Sequence, residues 1–148
     1  MNQDDTKPEV SSGVTGAPTP PTKARLLIVD DDKFLLNMYG MKFSSAGYTV
    51  QTCFSGKEAL EMIRGGFLPE VIIFDITMPE LDGFAFLKTL ADEHLVTGAI
   101  KIALTNQSDE AEKTKATELG ADHYIVKASM IPSEVVNTVA EVLAKHHA

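Results

Sequence analysis

The stretch that most restricts the fold runs from Val71 to Gly83, VIIFDITMPELDG. Val71 to Phe74 is an uninterrupted apolar run with β-branched members, the pattern of a strand buried on both faces. Such a strand belongs in the middle of a parallel sheet. Asp75 follows at its carboxyl end, the edge at which open α/β sheets bind ligands. Pro79 and the Asp82-Gly83 pair then turn the chain away. A carboxylate placed there is either a ligand for a cation or a nucleophile.

The surrounding sequence repeats the same unit. Leu26 to Val29 is a first apolar strand ending in Asp30-Asp31-Asp32, with Asp32 placed to cap a following helix. Helical spacing puts Phe34, Leu35, Met38 and Met41 on the buried face of that helix, and Gly47 ends it. Tyr48 to Cys53 reads as a second strand. Ser55-Gly56-Lys57-Glu58 is a capping-box signature, opening a helix that carries Ala59, Leu60 and Ile63 and closes at Gly65-Gly66. After the Val71 strand, Phe84, Leu87 and Leu90 mark the core stripe of a helix over residues 84–92, with Gly98 as the return. Ile100 to Leu104 is a fourth strand ending at Thr105. Ser108 is placed to cap a helix reaching Leu119, whose apolar face is thin: Ala111, Ala116 and Leu119. Tyr124, Ile125 and Val126 form a fifth strand ending at Lys127. Pro132 suits the first turn of a last helix buried through Val135, Val139 and Val142, with Val136 and Leu143 alongside.

Strands alternating with helices in this way make an α/β fold, a parallel sheet covered on both faces. Right-handed crossovers bring every strand's carboxyl end to one edge. Asp30, Asp31, Asp75, Thr105 and Lys127 are therefore expected to converge. The 148-residue length suits one domain, over residues 24–148. Residues 1–23 are rich in Ser, Thr, Gly and Pro and read as a disordered tail.

Composition narrows the function. A net charge of −8 disfavours binding to a phosphate backbone, so no nucleic-acid partner is expected. No apolar run is long enough to span a membrane, and the N-terminus lacks the pattern of a signal peptide. Cys53 is the only cysteine, so no intrachain disulfide can form. A cytoplasmic protein, monomeric or weakly dimeric, is the expectation.

Adjacent carboxylates demand compensation. Two unit charges about 4 Å apart repel by roughly 4 kcal/mol at an effective dielectric near 20. Lys127 supplies one positive charge, and a hard divalent cation supplies more. Carboxylates with few other ligands suit Mg²⁺, which commonly shares its shell with a phosphoryl group. Asp75 is then placed as an attacking carboxylate, with Lys127 and the Thr105 hydroxyl as partners for phosphoryl oxygens. Capping the first helix is the competing role for Asp30 to Asp32, but three adjacent acids exceed that need.

These residues resemble a family. Leu27-Ile28-Val29-Asp30-Asp31, the Asp75 to Gly83 segment, Thr105, and Tyr124-Ile125-Val126-Lys127 match, in order, the receiver domain of two-component response regulators. The resemblance covers about residues 25–146 and is to a stand-alone, chemotaxis-regulator-like receiver domain. It implies a flavodoxin-like, doubly wound sheet of five parallel strands in the order 2-1-3-4-5, with five helices in a three-layer α/β/α arrangement. It implies that Asp75 accepts a phosphoryl group from a histidine kinase or phosphotransfer protein. It implies that Asp30 and Asp31 hold Mg²⁺ together with Asp75 and the backbone carbonyl of Thr77. Thr105 and Tyr124 would form a switch that alters the surface of the fourth helix, fifth strand and fifth helix, where an output protein binds.

Two positions depart from the family. Lys127 is followed by Ala128 where the family usually has proline after a cis bond. A cis bond before a non-proline residue costs about 3–4 kcal/mol, so a trans bond and a reshaped loop through Ser129 and Met130 are expected. Asn106 replaces a small residue after Thr105 and is expected to narrow access to Asp75. The chain is expected to act as a phosphoacceptor switch and not as an enzyme. Two other readings stay open: a pseudo-receiver that binds partners without phosphorylation, and a Mg²⁺-dependent phosphatase using an aspartyl phosphate. The phosphatase needs a second acid, and Thr77 stands two residues after Asp75 where one would be looked for.

Overall fold

The structure is a computed structural model and describes residues 23–146. The tail reading therefore falls, except for Lys23, outside the described residues. The elements in order are β1 (Arg25–Val29), α1 (Lys33–Ser45), β2 (Thr49–Cys53), α2 (Gly56–Arg64), β3 (Val71–Asp75), α3 (Gly83–Asp92), β4 (Ile100–Thr105), α4 (Glu110–Glu118), β5 (His123–Val126) and α5 (Pro132–His146). A single 3₁₀ turn, Lys127–Ser129, follows β5.

The strands form one parallel sheet in the order β2-β1-β3-β4-β5. This is the flavodoxin-like order the resemblance implied. β3 lies at the centre, with Phe74 between Val29 of β1 and Ala103 of β4. All five of its residues are buried, as its unbroken apolar run requires.

Alternation along each strand supplies two cores. Leu27, Val29, Ile72, Phe74 and Ala103 face the side covered by α2, α3 and α4. Leu26, Ile28, Ile73, Ile102 and Leu104 face the side covered by α1 and α5. Each fully buried aliphatic side chain contributes roughly 1.5–3 kcal/mol relative to exposure, so this central layer fixes the strand ends firmly. Lys23 and Ala24 already belong to the folded part. The Lys23 N–H donates to Gly47 O at 3.0 Å, and the Ala24 carbonyl accepts from Thr49 N at 3.0 Å.

The first helix is turned differently from its expected face. Leu36, Tyr39 and Phe43 are buried, whereas Phe34 and Met41 are 74% and 70% exposed. Apolar residues occupy most of the circumference of α1, so spacing alone allowed two phases. Packing chose the one that lets Phe43 meet Tyr48 edge-on, with ring centroids 5.4 Å apart. On α3, Phe86 is buried with Leu87 and Leu90, and Phe84 is only half-buried. On α5, Leu143 takes the buried place expected of Val142. The cap of α4 is Asp109 and not Ser108: its carboxylate accepts from Glu112 N at 3.1 Å. α3 ends at Asp92 with Glu93 as its cap residue, ahead of the return at Gly98. Among the described residues, no helix is long and apolar enough to cross a membrane.

Candidate functional site

The carboxyl ends of β1, β3 and β5 bring together Asp30, Asp31, Asp75 and Lys127, four of the five residues that the β/α alternation predicted; the Thr105 hydroxyl turns elsewhere. Asp30 follows β1 directly and is fully buried. Its Oδ1 accepts from Asp32 N at 2.9 Å, which fixes the turn into α1. Asp32 in turn caps α1 through Phe34 N and Leu35 N. Capping therefore belongs to Asp32, leaving Asp30 and the exposed Asp31 to the cluster. Asp75 ends β3 and is 3% exposed, and its Oδ1 accepts from Thr77 N at 3.1 Å. One carboxylate oxygen from each of Asp30, Asp31 and Asp75 lies within 4.8 Å of the others.

Lys127 closes the group. Its Nζ lies 2.8 Å from Asp30 Oδ2 and 3.2 Å from Asp75 Oδ2. Burial alone would lower the Lys127 ammonium, but the hydrogen bond to Asp30 and the charges of Asp75 and Asp30 carry it above its ordinary value. Burial pushes the Asp75 carboxyl up to about 6, against the opposing pull of Lys127 and with Asp30 adding to the rise. Three carboxylates face one ammonium, so the site carries an excess of negative charge in a largely buried place. Those donors are all hard oxygens, which fits a divalent cation of the Mg²⁺ type.

The loop from Asp75 to α3 is held close to the strand. Gly83 N donates to Ile76 O at 2.8 Å, and Asp82 caps α3 through Ala85 N at 2.9 Å. A Cβ on Gly83 would sit 2.7 Å from Ile76 Cα and 2.9 Å from Asp75 O. Glycine is thus needed there for close approach of the two backbones. Ile76 and Met78 are buried in the α2–α3–α4 core, which anchors the loop while leaving Thr77 exposed.

Thr105 and Tyr124 turn their hydroxyls to Glu112 of α4. Thr105 is buried, and its hydroxyl lies 2.8 Å from Glu112 Oε1 and 3.1 Å from Gln107 O. The half-buried Tyr124 donates to the same Glu112 Oε1 at 2.9 Å. Glu112 was not singled out by the sequence. The only signal, Asp109 followed three residues later by Glu112, reads as a capping box and predicts a different partner. Asn106 is exposed at the carboxyl end of β4.

The arrangement is an acidic pocket at the carboxyl edge of a doubly wound sheet. The model of the response regulator receiver domain matches residues 26–140. The chain therefore belongs to the response regulator receiver domain family of two-component systems. Response regulator SaeR of Staphylococcus epidermidis is 37% identical over 120 residues, covering 81% of this chain and 50% of that protein. The alkaline phosphatase synthesis transcriptional regulatory protein PhoP of Bacillus subtilis is 31% identical over 121 residues, covering 82% of this chain and 49% of that protein. The chain thus spans about half the length of these curated relatives. Among solved structures, the chemotaxis response regulator CheY4 of Vibrio cholerae superposes with a TM-score of 0.75 at 30% identity, covering 82% of this chain and 99% of that one. A receiver domain protein from Methanospirillum hungatei gives a TM-score of 0.75 at 26% identity, covering 86% of this chain and 98% of that one.

Proposed function

We propose that this domain is a Mg²⁺-dependent phosphoacceptor switch with Asp75 as the acceptor. The observation that carries the reading is the buried Asp75 carboxylate, 3.2 Å from Lys127 Nζ and grouped with Asp30 and Asp31. An Asp75 carboxylate oxygen attacks the phosphorus of a phosphohistidine on a histidine kinase or phosphotransfer protein. The O–P bond forms as the P–N bond breaks, and the electron pair stays on the imidazole nitrogen. The product is an acyl phosphate on Asp75.

Asp30, Asp31 and Asp75 would hold Mg²⁺, with the Thr77 carbonyl as a further ligand. When bound, the cation neutralises charge on the phosphoryl oxygens. Lys127 holds the carboxylates together and offers its ammonium to one phosphoryl oxygen. Thr105 offers its hydroxyl to another. Tyr124 follows Thr105, and the surface of α4, β5 and α5 changes for an output partner. The chain acts in this reading as a switch and not as a turnover enzyme.

The test is incubation with Mg²⁺ and acetyl phosphate, beside Asp75→Asn, followed by intact mass. The expected result is a gain of one phosphoryl group by the wild type alone. Labelling of Asp75→Asn would identify another acceptor. If acetyl phosphate fails because Asn106 narrows the entrance, a phosphorylated histidine kinase still labels the protein. Failure of both donors would leave the pseudo-receiver reading.

A further inference from the structure

We propose that Glu112 is a positioning residue, a latch that holds Thr105 and Tyr124 off the Asp75 pocket until phosphorylation. This rests on the phosphoacceptor reading and adds the group that restrains it. One carboxylate oxygen, Oε1 of Glu112, accepts both the Thr105 hydroxyl at 2.8 Å and the Tyr124 hydroxyl at 2.9 Å. Thr105 and Tyr124 stand on different strands, β4 and β5, and Glu112 stands on α4. A single side chain thus ties three elements together beside the site.

The position of Glu112 in its helix makes the contact specific. It occupies the third residue of α4, after the cap Asp109. The equivalent glutamates of two other helices reach back to backbone at their own helix starts. Glu58 of α2 accepts from Phe54 N at 2.9 Å, and Glu134 of α5 accepts from Ile131 N at 2.9 Å. Glu112 instead turns inward to the two hydroxyls. Its own backbone N–H is still bonded, to Asp109 Oδ1. The side chain has left its usual capping role for a tertiary one.

A hydroxyl has one proton. While Thr105 gives it to Glu112, that proton cannot serve a phosphoryl oxygen on Asp75. The competent arrangement requires Thr105 to leave both Glu112 Oε1 and Gln107 O, which leaves Tyr124 alone of the two hydroxyls on that carboxylate. Hydrogen bonds to charged acceptors are stronger than neutral ones, so the latch biases the unphosphorylated protein toward the restrained form. α4 tolerates such a change: Ala116 is its only buried residue.

The experiment compares wild type, Glu112→Ala and Glu112→Gln, each carrying 3-fluorotyrosine, with the Tyr124 resonance assigned through Tyr124→Phe. Glutamine can still accept both hydroxyls through its amide oxygen, whereas alanine cannot. In Glu112→Ala, the Tyr124 fluorine resonance of the unphosphorylated protein should shift from its wild-type position. Phosphoryl uptake from acetyl phosphate should rise about tenfold, the scale of losing one hydrogen bond to a charged acceptor. Glu112→Gln should keep the wild-type resonance and raise uptake much less than Glu112→Ala does. An unmoved resonance with uptake within about twofold of wild type would overturn the latch. Equal acceleration in both variants would also overturn it, because charge and not the shared bond would then be responsible. If no form takes up phosphoryl from acetyl phosphate or a phosphorylated kinase, the phosphoacceptor reading fails by itself. The Tyr124 resonance of alanine against glutamine then decides the latch alone.

Discussion

Lys127 Nζ lies 2.8 Å from Asp30 Oδ2, and their side chains are only 7% and 0% exposed. The same ammonium is 3.2 Å from Asp75 Oδ2. One cation thus compensates two buried carboxylates at once. Lys127→Met should leave both uncompensated and cost about 3–5 kcal/mol, the scale of breaking a buried ion pair. On the proposed Mg²⁺ site, millimolar Mg²⁺ should restore part of that loss and stabilise the variant more than the wild type. Urea unfolding of both proteins, with Mg²⁺ and with EDTA, measures this. Equal Mg²⁺ effects on the two would show that cation and Lys127 do not share the same carboxylates.

The raised Asp75 carboxyl gives a pH dependence of definite sign. Below its ordinary value of 3.8, both folded and unfolded chains hold the proton. Between 3.8 and about 6, the folded chain keeps a proton that the unfolded chain has released. The stability owed to this group is therefore fully present at low pH and is lost as pH rises through about 6. Asp75→Asn cannot titrate and still accepts from Lys127. In EDTA, its melting temperature minus that of wild type should grow between pH 4 and pH 6.5 and then level. A flat difference would mean that Asp75 carries no such cost.

The elements that were legible in sequence owe it to single strong constraints. The Val71–Phe74 run has no solvent face, so β3 had to be central and Asp75 had to lie at its end. Asp30 and Lys127 followed from alternation alone, because parallel strands share one carboxyl edge. The rotation of α1 was not legible, since Phe34, Leu35, Leu36, Met38, Tyr39, Met41 and Phe43 nearly encircle it. Glu112 was hidden for a different reason. Its local pattern suits an ordinary helix start, and only the meeting of α4 with β4 and β5 supplies the two hydroxyls as partners.

The rotation of α1 predicts opposite outcomes for neighbouring apolar residues. Phe34 is 74% exposed, whereas Leu36, two residues on, is 3% exposed within the α1–α5 core. Phe34→Ser should change stability by no more than about 0.5 kcal/mol, as surface changes usually do. Leu36→Ala should cost about 2–5 kcal/mol through lost burial and the space left behind. Thermal unfolding of the two variants separates them. Comparable losses at both positions would mean that α1 also packs through its Phe34 face in solution.

The close approach at Gly83 couples the loop to Asp75. An added Cβ would meet Ile76 Cα at 2.7 Å and Asp75 O at 2.9 Å, and these are backbone atoms that cannot rotate aside. The α3 start must then lift, or the end of β3 must move and take Asp75 with it. Gly83→Ala should therefore cost about 1–3 kcal/mol, the usual scale of overpacking. It should also weaken the Mg²⁺-induced rise in melting temperature, because Asp75 would no longer sit squarely against Asp30 and Asp31. Gly98→Ala is the control: nothing lies within 4 Å of its added Cβ, and it should be nearly neutral in both measurements. A destabilised Gly83→Ala with an unchanged Mg²⁺ response would show that the helix start yields and β3 does not.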